Sequence, residues 1–165
     1  MSEAIHLADA LEGFFTRPDN GWFTPFTIAV NQLTSRQAAS IPAQGLNSIW
    51  LVVQHVAFWQ EWALLRLKGL PADRKTLEGG EEGWAPIRDP ESEGDWQKAV
   101  ERAVRVNREL ADFVRQIPDA ELDIPIAPGK AARYQVLQGL IAHNAYHINE
   151  IISLRHLQGW MLEQT

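Results

Sequence analysis

The chain has 165 residues, enough for one domain whose interior needs no covalent staples. It contains no cysteine, which excludes disulfides, a thiol nucleophile and every zinc site built on thiolate, so any metal here is held by nitrogen and oxygen. Its formal net charge of -6 repels nucleic acid, and no basic stripe offsets that field.

The opening Met1-Ser2-Glu3-Ala4-Ile5 lacks the basic and apolar blocks of a signal peptide. The most apolar stretch, residues 49–62, is interrupted by Gln54, His55, Gln60 and Glu61, short of the roughly 20 apolar residues of a bilayer span. The expectation is a cytoplasmic protein with no membrane partner, residues 1–165 forming a single domain.

Ile5, Ala8, Leu11 and Phe15, then Trp22, Phe26, Val30 and Leu33, each keep helical spacing. Pro18-Asp19-Asn20-Gly21 breaks between them, which predicts a first helix that is split or kinked. Ile41-Pro42-Ala43-Gln44-Gly45 reads as a connector. Asn47 or Ser48 is placed to cap a second helix running to about Lys68, where Gly69 ends it. Within it Leu51, His55, Phe58, Trp62 and Leu65 form one 4-3-4-3 stripe, which puts His55 in the apolar face.

Residues 69–94 are rich in Pro, Gly and acid (Glu78, Glu81, Glu82, Asp89, Glu91, Glu93) and show no sustained period. They read as a solvated linker, although Trp84 in the middle argues for docking back onto the helices. The next helix is the cleanest: Trp96, Ala99, Ala103, Val106, Leu110, Phe113 and Ile117 repeat 3-4-3-4-3-4, with Pro118 just beyond. After Pro125-Ile126-Ala127-Pro128-Gly129 comes a last helix, from about Tyr134 to Trp160. Its stripe reads Val136, Leu140, His143, His147, Glu150, Leu154, Leu157. No segment reads as a strand. Four long amphipathic segments predict an all-α, four-helix bundle.

Three ionisable residues in a core-facing line need an explanation. His143 and His147 are four apart, so they project from one helix face about 6 Å apart along the axis, close enough to chelate one ion. His55 supplies a third nitrogen from the facing helix, and three imidazoles with positions left open is the arrangement of a catalytic rather than a closed structural metal site. Spacing alone weighs this evenly against three hydrogen-bonded imidazoles with no ion. His156, nine residues past His147, points away from the site, and His6 has no partner motif; both read as surface or packing residues.

Four places are open to Glu150: a fourth ligand, an acceptor that orients an imidazole N–H, a general base for metal-bound water, or the solvent edge of the stripe. Asn144 after His143 breaks the HExxH signature and demotes a standard protease. Trp59, Trp62 and Tyr146 are candidates to line a substrate pocket. A divalent ion here would activate either water or an incoming thiolate, and spacing does not choose between them.

Gly45-Leu46-Asn47-Ser48-Ile49-Trp50, then Gln54-His55-Val56-Ala57-Phe58-Trp59, then Ile141 through Ile151 and Leu154-Arg155 together resemble the DinB/YfiT-like superfamily over essentially the whole chain. The resemblance implies an up-down-down-up four-helix bundle with a long crossover between the second and third helices, commonly a homodimer. It also implies that His55, His143 and His147 are the metal ligands, with zinc or nickel the usual ions. Characterised relatives include S-transferases using the low-molecular-weight thiols bacillithiol or mycothiol, a mycothiol-dependent isomerase, and metal-dependent hydrolases. The family often has Gly-Gln where this chain has Asn149-Glu150, which places a charge beside the metal and favours a harder ion or water activation.

The leading expectation is therefore a metal-dependent enzyme acting on small molecules, a thiol S-transferase or a hydrolase. The alternatives are a non-catalytic, stress-related protein that binds metal and ligand, and a metal-free helical dimer module.

Overall fold

The computed structural model describes residues 2–17, 22–73, 77 and 80–162. Six helices run through them: α1 (Glu3–Thr16), α2 (Phe26–Ala29), α3 (Ser35–Ala39), α4 (Ile49–Leu67), α5 (Glu93–Val114) and α6 (Arg133–Leu157), with single 3-10 turns at Glu81–Gly83 and Asp119–Glu121. The predicted break at Pro18-Asp19-Asn20-Gly21 lies outside the described residues, as does Glu78. Among the described residues the one β-type pairing is an isolated bridge between Pro125 and Ala132. No helix among them is long and apolar enough to cross a membrane.

Side chains fix where the long helices begin. The Ser2 hydroxyl accepts from the Ile5 N–H (3.3 Å), and the Asp119 carboxylate accepts from the N–H groups of Glu3 and Ala4 (3.0 Å each), so the start of α1 is held by the turn after α5. Ser48 caps α4 through the Leu51 N–H (3.3 Å), and Gly69, at φ 73°, follows its last turn in the left-handed conformation that glycine takes freely. Ser92 caps α5 through the Asp95 N–H (3.2 Å). That helix therefore starts at Glu93, slightly earlier than the apolar stripe indicates.

The segment after residue 22 departs from expectation. Trp22 is 89% exposed and outside any helix, α2 is a single turn, and Gln32 sits at φ 61° before α3 begins. Pro25 cannot be a helix-interior residue, so the turn starts behind it. Thr34 and Gln37 then form a reciprocal capping box that opens a separate helix instead of prolonging the first.

The long helices pack as neighbours in four pairs, α1–α5, α5–α4, α4–α6 and α6–α1. Trp50 meets Trp96 (ring centroids 5.5 Å apart), and farther along the same helices the Gln60 amide oxygen accepts from Asn107 (2.8 Å), which also donates to the Leu11 carbonyl (3.2 Å). Of the predicted third-helix stripe, Trp96, Ala103, Val106 and Leu110 are buried in α5 and Ile117 just past its end, with Ala99 and Phe113 partly so. Helix α4 is different. Leu51, Trp62 and Leu65 are only half-buried, while Val52, Val53, Val56, Gln60, Ala63 and Leu67 are buried. With α5, α6 and the Glu81–Gly83 turn all against it, α4 has no single apolar face for a stripe to mark. Leu157, expected to close the α6 stripe, is 67% exposed at the helix end.

Arg155 is buried near the same end and donates to the carbonyls of Ala29 (2.9 Å), Asn31 (2.7 Å) and Trp160 (3.1 Å). It thereby ties the α2 turn to α6.

Candidate metal centre

Helices α4 and α6 bring His55, His143 and His147 together: one ring nitrogen from each lies within 4.8 Å of the others. The Nε2 atoms of His55 and His143 are 3.2 Å apart. Two nitrogens bound tetrahedrally at the usual zinc distance would be separated by about 3.3 Å, so the spacing of this pair suits a shared ion. His55 and His147 are buried and His143 is half-buried.

Tautomers are set by what the other ring nitrogens touch. His55 Nδ1 lies 2.7 Å from the Glu82 carbonyl oxygen, which can only accept, so Nδ1 carries the proton and Nε2 keeps its lone pair. His147 Nδ1 lies 2.7 Å from Glu150 Oε2, with the same consequence. This is the carboxylate–histidine or carbonyl–histidine pairing that orients metal-ligating imidazoles. His143 Nδ1 and both amide atoms of neighbouring Asn144 are buried with no hydrogen-bond partner among the described residues.

Electrostatics disfavours protonation of two of the rings, His143 and His55. Burial first, then the adjacent His147 and His55, hold the His143 pKa down to about 4. Burial also lowers His55, against the opposing pull of the Glu82 carbonyl. The hydrogen bond from His147 holds the Glu150 carboxyl below its ordinary value in spite of burial, so Glu150 is ionised at neutral pH. Three imidazoles beside a carboxylate form a donor set that a divalent cation fits.

The remaining predicted residues take distinct places. Trp59 stands edge-on to His55 and His143 (6.3 and 6.4 Å between centroids). Trp62 is one ring farther out, edge-on to Trp59 at 5.4 Å and not against a histidine. Tyr146 packs edge-on to His147 at 4.9 Å and is 69% exposed. His6 and His156 are both exposed and belong to other surfaces.

The segment read as a solvated linker, with Trp84 arguing for docking, closes over His55, a contact the sequence did not indicate. Trp84 stacks on its ring, with centroids 4.0 Å apart and planes 23° from parallel. Gly83, at φ 86°, lies so close that a Cβ there would be 2.5 Å from His55 Cα. In the amide orientation that satisfies both ends, Gln54 accepts from the Trp50 indole (3.1 Å) and donates to the Ala85 carbonyl (3.2 Å). Trp84 inside an otherwise polar stretch was the available signal for docking. The Glu82 carbonyl carried none, because every residue has one.

Among the described residues, surface grooves of about 510, 400 and 600 Å3 border the helices, and no histidine lies in the walls of these three. The family model described as the DinB superfamily matches residues 25–151, which include all three histidines and Glu150. No curated protein and no solved structure matches the chain.

Proposed function

The chain belongs to the DinB superfamily, and from that membership and the converging imidazoles we propose that it is a metal-dependent enzyme acting on a small molecule. His55, His143 and His147 hold one divalent ion, zinc or nickel, with coordination positions left open. The observation that carries this reading is the orientation of two rings: Glu82 and Glu150 each engage an Nδ1 and turn Nε2 of His55 and His147 to the ligating role. When bound, the ion supplies Lewis acidity, either toward water or toward a low-molecular-weight thiol of the bacillithiol or mycothiol type.

The chain's own residues have the following parts. Glu150 orients His147 and, as a carboxylate beside the ion, also stands ready to take a proton from the incoming nucleophile. Trp84 and Trp59 exclude water from the rings, and Tyr146 and Trp62 guard the approaches. The reading extends to an up-down-down-up bundle of α1, α4, α5 and α6. It is supported by the Trp50–Trp96 and Gln60–Asn107 contacts, which run in the same order along α4 and α5.

The test is a panel of thiol-conjugation and hydrolysis assays on protein loaded with zinc or nickel. Turnover that disappears in His143→Ala and His147→Ala supports the reading. Turnover that survives both substitutions contradicts it. A second reading, in which the metal is structural and the protein binds without turnover, is favoured by the Trp84 cover and by grooves that exclude the histidines. It predicts a large fall in melting temperature on chelation with no activity across the panel.

A further inference from the structure

The groove of about 600 Å3 between the end of α4 and the start of α6 is of ligand size, and its walls combine Trp62, Ile126 and Val136 with the cations Arg66 and Lys130. In a chain of net charge -6 that is an unusual place for two cations. Arg66 makes no ion pair or side-chain hydrogen bond among the described residues, and its Nε is buried without an acceptor. Its position in the last turn of α4 accounts for a positive charge there. It does not account for a guanidinium without an acceptor of its own, whose outer N–H groups, unlike the buried Nε, are left to donate to a ligand. Asp73 adds one carboxylate to the groove, so the cations still outnumber it.

The groove lies on the same face of α4 as His55. His55, Trp59, Trp62 and Arg66 follow one another at 4-3-4 spacing, so they share a helix face on which Arg66 is about 16 Å from His55 along the axis. The edge-on contacts of Trp59 with His55 and of Trp62 with Trp59 make that face a continuous aromatic wall.

We infer that this groove holds the remote end of the substrate, an organic carboxylate on an apolar body roughly 10–16 Å long, with Arg66 and Lys130 taking the carboxylate and Trp62, Ile126 and Val136 the body. Arg66 is the specificity-determining residue: its planar fork matches a carboxylate bidentately, and Lys130 adds charge without that geometry. The inference rests on the proposed metal-dependent function for its direction, since it takes the histidines as the reacting end.

The test is calorimetric titration of the metal-loaded protein with octanoate, octanol and octylamine, which share a chain and differ in head group. Octanoate should bind at least tenfold more tightly than either. Arg66→Met should remove that preference and Arg66→Lys restore part of it, with metal content unchanged in both. A carboxylate can also ligate the ion directly, so the titrations are repeated in His143→Ala, where the Arg66-dependent preference should persist. Equal affinities for the three probes, a preference indifferent to Arg66→Met, or one lost in His143→Ala overturns the assignment. An Arg66-dependent preference in wild-type protein that holds no ion leaves the groove standing and removes the metal reading instead.

Discussion

Gly83 and Glu82 decide how His55 is presented. A Cβ at Gly83 would meet His55 Cα at 2.5 Å, and the backbone there is in the left-handed region, where a non-glycine residue costs of order 1–3 kcal/mol. Gly83→Ala should therefore lower the melting temperature and, by lifting the Glu82 carbonyl from Nδ1, weaken metal binding; thermal melts and zinc titration together check this. At Glu150 the expected loss in metal affinity is about 10–100-fold for Glu150→Ala, as for other partners of ligating histidines, and smaller for Glu150→Gln, which keeps an acceptor oxygen. His143 gives a pH signature. Its pKa falls from 6.5 to about 4 on folding, so between those values the unfolded chain binds more protons. The contribution is fully present above pH 6.5 and is lost as pH falls through about 4. Melting temperatures of metal-free protein should drop across that window, and His143→Gln should flatten that part of the profile.

At the scale of elements, legibility followed how one-sided each helix is. Helix α5 faces the core with one stripe and solvent with the rest, so Trp96, Ala103, Val106 and Leu110 were readable as buried, while Asn107, Ala111 and Val114 beside the stripe were not. Helix α4 is covered by α5, α6 and the Glu81–Gly83 turn, and periodicity carries little information where burial surrounds the axis. The residues after Trp22 misled because apolar spacing continues across Pro25 while the backbone cannot. Arg155 was invisible as a structural residue, since nothing in Leu154-Arg155 reveals that carbonyls of Ala29, Asn31 and Trp160 converge on it. Arg155→Met should destabilise the fold by about 3 kcal/mol, because it removes charged donors from buried carbonyls. Denaturant unfolding would measure the change, and a loss below about 0.5 kcal/mol would count against this role.

For the whole molecule, the sequence carried the site better than it carried the cover over it. The i, i+4 pair on α6 and its partner on α4 converge because both lie on interior-facing turns of neighbouring helices, a relation that spacing encodes directly. The strap of residues 81–85 reaches His55 through a backbone carbonyl, a close glycine and a stacked ring, which are matters of tertiary placement. Because a bound ion joins α4 to α6, it should stabilise the folded chain by about 2.7 kcal/mol at a free concentration 100 times its Kd, a rise of roughly 5–10 °C in melting temperature for a domain of this size. The most direct measurement is elemental analysis of tag-free protein alongside His143→Ala. About one divalent ion per chain in the first and none in the second is the predicted result. Wild-type protein that takes up no ion from excess zinc or nickel, or a His143→Ala variant that keeps a full complement, would contradict it.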